Sequence, residues 1–228
     1  MKVARQDSMK TRSSLLGAAG RIFAEKGYHE ATIAEISETA GANIAAVNYH
    51  FGDKETLYRE AWRRAFRDSI EAHPPDGGVP ANAPAEQRLR GQIRALLERI
   101  SDEENREFSI SHKELASPTG LLEEVMREEL EPLRSRIEAV IGEIIGGSGS
   151  KGQARFCTLS VMSQCVIPAV ITRVEKACHG GEHAFWRVDD IEAYAQHVIA
   201  FSLAGIEAAG HETKAGRPQP RRGSTYAE

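Results

Sequence analysis

The sequence predicts an all-α protein, in which a small N-terminal domain of three helices precedes a larger helical domain. Apolar residues recur at helical spacing through most of the chain, and the apolar–polar alternation that is typical of strands is absent. Glycine, proline or helix-capping residues separate one helical stretch from the next. A chain of 228 residues is also long enough to bury a substantial hydrophobic core.

The composition is that of a soluble globular protein, with 41% hydrophobic and 27% charged residues. No apolar run approaches the roughly 20 residues that a membrane-spanning helix needs, and the basic N-terminus lacks the apolar core of a signal peptide. Cys157, Cys165 and Cys178 show no disulfide framework, so we expect a reduced, cytoplasmic protein. The net charge is −4, but a locally basic N-terminus can still bind phosphates, because screening confines the interaction to about 10 Å.

The first two helices are predicted from apolar spacing and from their caps. Residues 11–26 carry apolar side chains three and four positions apart, and Gly27 supplies the C-terminal cap. Thr32 and Glu35 form a capping box that opens the second helix, which Gly41 ends.

A short third helix and a longer fourth helix follow. Asn43 is a good N-cap for the third helix, which we expect to run to about His50, and Asp53 caps the fourth. The apolar side of the fourth helix comprises Leu57, Tyr58, Ala61, Trp62, Ala65 and Phe66.

The remaining chain is predicted to be helical between flexible segments. Residues 73–85 are rich in Pro and Gly and predict a linker or loop. The further helices are predicted at residues 85–100, 102–116, 118–145, 153–177 and 189–209. Pro132 is expected to kink or divide the third of these. Residues 146–152 lack the pattern of a phosphate-binding loop and predict a hinge, and the tail from residue 211 to 228 is predicted to be disordered.

Residues 32–51 have the layout of a helix-turn-helix, in which the second helix lies in the DNA major groove. Asn48, Tyr49 and His50 project outward near the end of that helix. Asn can pair with adenine, and Tyr and His can donate to phosphate oxygens. The alternative is a helical bundle whose polar residues are merely solvated.

Neighbouring residues add to the predicted DNA surface. Ile44, Ala45 and Ala46 carry no hydrogen-bond donors, so they can only pack on thymine methyl groups, and helical periodicity could also place Ile44 inside. Asn48 is therefore the best single candidate for reading a base. Lys54 lies at the start of the fourth helix, where its ammonium and the free backbone N–H groups can share one phosphate.

Two stretches within residues 15–58, LLGAAGRIFAEKGYHEATIAEISETAGA and VNYHFGDKETLY, carry a family pattern. The matching positions are Phe23, Lys26-Gly27-Tyr28, Thr32, Ala40-Gly41, Tyr49-His50-Phe51 and Lys54. This segment resembles the DNA-binding domain of the TetR family of bacterial transcription regulators. The resemblance, with the layout above, implies a DNA-contacting set of Thr32, Asn43, Ile44, Ala45, Asn48, Tyr49, His50 and Lys54.

The segment from Glu107 to Gly146 resembles the C-terminal domain of one subgroup of the same family, which implies a ligand-binding and dimerisation domain. The candidate cavity-lining residues share aromatic, thioether, imidazole or amide side chains. They are Trp62, Phe66, Phe108, His112, Met126, Met162 and Gln164. Such a lining would suit a medium-sized, partly apolar effector, although each residue could equally be an ordinary core or surface residue.

Other clusters favour no further chemistry. Cys178, His179 and His183 share one short stretch, but nothing completes a set of four ligands, and a polar surface loop is the favoured interpretation. Cys157 and Cys165 are expected to be buried, inert thiols. We recognise no catalytic triad or carboxylate pair and expect neither an enzyme nor a bound cofactor or metal.

The sequence therefore predicts a homodimeric, ligand-responsive transcriptional repressor, in which repression itself comes from the family resemblance. Residues 1–58 would bind a palindromic DNA operator, and residues 59–210 would bind a small-molecule effector and pair through the last two helices. Ala169, Ala200, Ala204 and Gly205 would permit close approach of those helices. No membrane contact is expected. The alternatives are an all-helical enzyme and a helical ligand-binding or interaction protein without specific DNA binding.

Overall fold

The computed structural model describes the backbone of residues 2–146, 151–179 and 188–215, and side chains within 6–146, 151–175 and 188–211. The described residues form nine α-helices and no strand, which confirms the all-α prediction. The helices are α1 (Lys2–Glu30), α2 (Ile33–Thr39), α3 (Ile44–Phe51), α4 (Lys54–Ala72), α5 (Ala85–Ser101), α6 (Arg106–Ala116), α7 (Glu123–Ile145), α8 (Lys151–His179) and α9 (Ile191–Ala215).

Side-chain caps begin the three helices that follow α1. Thr32, Asn43 and Asp53 each accept a hydrogen bond from a backbone N–H in the turn that follows, at 3.2, 2.9 and 2.7 Å. Gly41 and Gly52 lie between these helices with φ of 63° and 78°, a conformation that residues with a Cβ rarely adopt. Caps and glycines together fix where α2, α3 and α4 begin and how sharply the chain turns between them.

Several predicted boundaries were wrong. α1 begins near residue 2 rather than 11 and continues to Glu30 across a kink at Gly27, whose φ of 78° interrupts the helix. α6 begins at Arg106 rather than 102, because the side chain of Asn105 caps it. α7 begins at Glu123 rather than 118 and is not divided at Pro132.

The segments predicted to lack structure are partly helical. α8 begins at Lys151, inside the predicted hinge, and α9 extends to Ala215, inside the predicted disordered tail. The predicted linker is a series of turns that packs on α5. A Cβ added at Gly77 would lie 2.4 Å from the carbonyl oxygen of Gly91, so the turn touches the helix backbone directly.

Two hydrophobic cores organise the described residues. The first joins α1, α2, α3 and α4 to Ile110 of α6 and to the start of α7, with Phe23 and Trp62 fully buried. The second joins α5, the later part of α7, α8 and α9, with Leu89 and Ile141 fully buried. α4 packs across its length on α1 and α6, so it connects the N-terminal helices to the rest of the chain.

α8 differs from the other helices in its composition. Its segment Lys151–Glu175 is long and apolar enough to cross a membrane by length and composition alone, so the expectation that no apolar run reaches that length was wrong. Only 22% of its most apolar window is buried within the chain. A large part of this apolar surface therefore lies open on the single protomer.

Candidate nucleic-acid interface and ligand cavity

The outer face of α3 is the candidate nucleic-acid interface. Val47 and Phe51 point into the first core, and they orient α3 so that Asn48 and Tyr49 are exposed, Tyr49 by 80%. The ring of His50 is half-buried and lies edge-on to Tyr49, with 4.9 Å between the ring centroids. The amide of Asn48 and the Tyr49 hydroxyl therefore lie on one accessible surface.

The beginning of α3 lies on the same surface. Ile44 is 49% exposed and Ala45 is exposed, so Ile44 does not belong to the core. Asn43 and Thr32 are also exposed, but their side-chain oxygens already accept the N-terminal hydrogen bonds of α3 and α2. Asn43 and Thr32 therefore act first as helix caps. Asn48 is not a capping residue, so its amide is not needed to begin a helix.

Lys54 is held at the first turn of α4 by an aromatic ring. Its Nζ lies 4.4 Å from the ring centroid of Tyr28, a cation–π arrangement, and partial burial lowers the pKa of Lys54 below its usual value. The N-terminus of α4 adds free backbone N–H groups and the positive end of the helix dipole. The ammonium and the helix end together can bind one phosphate.

α4 is fastened to α6 by two buried hydrogen bonds. The hydroxyl of Tyr58 donates to Oε2 of Glu114 at 3.0 Å, and Nε1 of Trp62 donates to Oγ of Ser111 at 2.9 Å. Glu114 also accepts hydrogen bonds from the backbone N–H groups of Thr119 and Gly120, so it ties the turn after α6 to the same point. These hydrogen bonds join α4, α6 and the turn after α6 around Glu114 and Ser111.

A cavity of about 440 Å³ lies between α5, α6, α7, α8 and the turn that follows α4. Three of the predicted ligand-binding residues, Phe108, Met126 and Met162, line this cavity. The cavity is within the size range of sites for drug-like molecules, about 300–1,000 Å³.

The other four predicted ligand-binding residues do not line this cavity. Trp62 and Phe66 stack on each other inside the first core, because the apolar face of α4 packs on α6 rather than on open space. The side chain of Gln164 donates towards Ser202 of α9 at 3.4 Å. His112 is half-buried outside the lining, where burial lowers its pKa.

A buried ion pair on the cavity wall was missed by the sequence analysis. Nη1 of Arg99 donates to Oε2 of Glu107 at 3.1 Å, and the two residues are only 7% and 3% exposed. Burial raises the pKa of Glu107, while the charge of Arg99 opposes that rise. Gln92 also lines the cavity, one heptad before Arg99 in α5. Polar residues inside the apolar stripe of α5 were the signal that could have revealed them.

An apolar surface spans α8 and α9. Its exposed large side chains are Phe156, Leu159, Ile167, Val174 and Phe201. On α9, Ala200, Ala204 and Gly205 are exposed beside Phe201, and a Cβ added at Gly205 meets nothing within 4 Å. Bulky apolar groups next to small ones are typical of a surface that packs closely against another protein.

The described part of the chain contains no group of three or more His, Cys, Asp or Glu arranged to hold a metal ion. The side chains of Cys178, His179 and His183 lie outside the described residues. Cys165 is buried, and burial raises the pKa of its thiol to about 12.

Comparison with known proteins decides the family. The family model described as bacterial regulatory proteins, tetR family, matches residues 15–61. The model of the C-terminal domain of the HTH-type transcriptional dual regulator CecR matches residues 85–206, more than half of the chain. The chain belongs to the TetR family of bacterial transcription regulators.

Curated relatives match this TetR-family protein over different shares of its length. It is 34% identical over 58 residues to the regulator AcrR of Shigella flexneri and 42% identical over 59 residues to the repressor AcnR of Corynebacterium efficiens. These matches cover 25% of this chain and 27% and 31% of the relatives, so the chain spans about a third or less of their length. The dual regulator CecR of Shigella flexneri is 28% identical over 148 residues, which cover 60% of this chain and 66% of CecR.

Solved structures share the fold over most of the chain. The fatty acid degradation regulator FadR of Bacillus halodurans superposes with a TM-score of 0.63 at 15% identity, covering 86% of this chain and 95% of FadR. A transcriptional regulator of Rhodococcus sp. RHA1 superposes with a TM-score of 0.61 at 21% identity, covering 86% and 97%. At these identities the likeness establishes the all-α fold alone.

Proposed function

We propose that this TetR-family protein is a homodimeric repressor that binds a palindromic DNA operator and is released from it by a small-molecule effector. The observation that carries the proposal is the outer face of α3, where Asn48 and Tyr49 lie exposed next to Lys54 at the start of α4. α3 would enter the major groove, with Asn48 reading a base and Lys54 holding a phosphate. The protein would act in the cytoplasm.

The exposed apolar surface of α8 and α9 supports dimerisation. One copy of α3 covers only a few base pairs, and a two-fold dimer would present two copies to half-sites about one helical turn, roughly 34 Å, apart. In a two-fold arrangement α8 and α9 of each protomer would form a four-helix bundle, with Phe201 and Leu159 buried at its centre. Ala204 and Gly205 leave room for the partner's backbone.

The fastening of α4 to α6 supports release by an effector. A ligand in the cavity would contact α6, whose Ser111 both lines the cavity and holds Trp62 of α4. An effector that favours another position of α6 would tilt α4 and move the two α3 helices out of register with their half-sites. Linkage then requires that the effector bind operator-bound protein more weakly by the same factor.

The test is selection of bound sequences from random duplex DNA by the purified protein. We expect an enriched palindrome whose half-sites are about one helical turn apart. The Asn48→Ala, Lys54→Met double variant is the matched control, because Asn48 is exposed and Met keeps the apolar length of the half-buried Lys54 side chain. Equal pools from the two proteins, with and without added cell extract, would overturn the proposal in favour of a helical ligand-binding protein without specific DNA binding.

A further inference from the structure

The cavity has an apolar body and a polar inner wall. Its apolar lining comes from α5, α7 and α8, and includes Leu96, Ile100, Leu130, Ile137, Met162 and Val166. The polar inner wall comes from α5 and α6, where Arg99, Glu107 and Ser111 are each less than 10% exposed. A ligand that fills this space must therefore be apolar along most of its length and polar at one end.

The guanidinium of Arg99 has unused hydrogen-bonding capacity at that polar end. A guanidinium carries five N–H donors, and within the described part of the chain Arg99 uses one of them, Nη1 to Glu107 at 3.1 Å. Because Arg99 is 7% exposed and lines the cavity, the cavity is where its other donors find a partner. A planar guanidinium matches the geometry of a carboxylate, which it can bind through two parallel hydrogen bonds.

The amide of Gln92 is a second unsatisfied group on the same wall. Its Oε1 is buried and has no hydrogen-bond partner among the described residues. Gln92 and Arg99 are seven residues apart in α5, so they lie on the same face of the helix, and both line the cavity. Oε1 is an acceptor, and a carboxylate has no proton to donate to it. Rotation of the amide by 180° would instead present the Nε2–H donors at this point, and a carboxylate could accept from them.

The charges around the cavity favour an anion over a cation. Glu107, which is buried, already pairs with Arg99, and the half-buried Arg173 adds a second cation close enough to Glu107 to interact with its charge. The guanidinium of Arg173 stacks on the ring of Phe108 at 4.4 Å, directly beside the lining. A cationic ligand would meet these two arginines, whereas an anionic ligand would be attracted by both.

The charged residues at the mouth of the cavity also favour an anion. Arg127 and Arg136 of α7 are exposed at the mouth and form no ion pair with another described residue. Glu131, the acidic residue between them, is paired with Arg134. Free positive charge at the entrance would raise the local concentration of an anion and guide it inward.

We propose that the cavity binds an amphipathic organic acid, with its carboxylate paired to Arg99 and its apolar body between α5, α7 and α8. The assignment rests on the proposed function only in treating this cavity as the effector site. The chemical class is argued from the residues of the cavity wall and mouth.

The test compares three probes of equal chain length and different head group on the purified 228-residue protein: decanoate, decanol and decyltrimethylammonium. Isothermal titration calorimetry gives each affinity below the micellar range. Because a hydrogen bond to a charged group is lost with the neutral probe, decanoate should bind about ten- to a hundredfold more tightly than decanol. The cationic probe should bind most weakly.

Variants locate the effect at Arg99. Arg99→Met alone would leave Glu107 buried without a partner, so the informative protein is the Arg99→Met, Glu107→Met double variant, which replaces both charges with apolar side chains of similar size. It should bind decanoate about as weakly as decanol while its affinity for decanol stays unchanged. Arg90→Met, on the exposed face of α5, should leave all three affinities unchanged.

Three results would overturn the assignment: equal affinity for decanoate and decanol, unchanged decanoate binding by the double variant, or no binding of any probe. None of these measurements involves DNA. If operator selection fails while decanoate still binds, only the proposed function is contradicted. If an operator is selected but decanoate does not bind as expected, only the ligand assignment is contradicted.

Discussion

The indole N–H of Trp62 donates to the hydroxyl of Ser111 at 2.9 Å, between two side chains that are both buried. The same hydroxyl donates onward to the carbonyl oxygen of Glu107 at 2.8 Å. Trp62 belongs to α4, whose first residue is Lys54, and Glu107 lines the cavity. One hydroxyl therefore connects the helix that begins at the candidate DNA surface with the wall of the candidate effector site.

Ser111→Ala should be costly because it leaves the Trp62 N–H buried without an acceptor. We expect the free energy of unfolding to fall by about 1–3 kcal/mol. Ser109→Ala is a matched control: its hydroxyl also donates to the carbonyl four residues before it in α6, at 3.1 Å, but it accepts no bond from the described residues of another helix. Urea denaturation of both variants gives the difference, and equal losses would contradict the role of the Trp62 contact.

Local chemistry explains how much of the fold could be predicted. The caps at Asn43 and Asp53 and the positive φ of Gly41 depend only on neighbouring residues, and the structure has all three in place. The start of α6 was missed because Asn105 follows a run of polar residues that helical spacing alone does not exclude. Boundaries set by one side-chain cap are visible in sequence only when other signals agree.

The cavity was harder to predict than the DNA surface. Helical periodicity placed Trp62 on an inner face, but it does not say whether that face meets a helix or open space. Arg99 and Glu107 are eight residues apart on separate helices, so their pairing depends on the turn between α5 and α6. The predicted residues that do line the cavity, Phe108 and Met126 among them, come from three helices that only tertiary packing brings together.

Two asparagines of the helix-turn-helix should behave differently on substitution. Asn48→Ala should remove one base contact in each half-site, which we expect to flatten one position in each half of the selected palindrome and cost about 1–3 kcal/mol of discrimination per half-site. Asn43→Ala should remove the N-cap of α3 and cost about 1 kcal/mol of stability while the base preference is retained. Sequencing of the bound DNA pools, with a denaturation curve for each variant, separates the two effects; an unchanged pool for Asn48→Ala would exclude base reading.

Lys54→Met should remove one phosphate contact from each protomer of the proposed dimer, two in all. The slope of log K against log salt concentration is expected to become shallower by about two units, with weaker binding to specific and non-specific DNA alike. Lys26→Met is the control, because Nζ of Lys26 already pairs with Glu35 on the surface at 2.5 Å. Titrations at several salt concentrations measure both slopes, and an unchanged slope for Lys54→Met would place this lysine outside the DNA contact.

The thiol of Cys165 should resist alkylation at pH 8. Its pKa is raised to about 12 by burial, against about 8.5 for a free thiol, so the reactive thiolate is a very small fraction in the folded protein and increases only as the pH rises towards 12. We expect iodoacetamide to modify Cys165 more than a hundredfold faster once urea unfolds the chain. Mass spectrometry of digested samples follows each cysteine separately, and rapid modification in the folded state would show that the second core opens easily.

Phe201→Glu should separate the proposed dimer without unfolding the protomer. Phe201 is 63% exposed on the single chain, so a carboxylate there costs little in isolation, but pairing of α8 and α9 would bury it without a partner. We expect the dimer dissociation constant to rise about a hundredfold or more, and operator affinity to fall with it. Met9→Glu, at a position 67% exposed on α1, is the control for adding a charge elsewhere, with oligomeric mass as its only readout. Sedimentation equilibrium distinguishes the outcomes: if Phe201→Glu remains a dimer as stable as the parent protein, the apolar surface of α8 and α9 is not where the protomers meet.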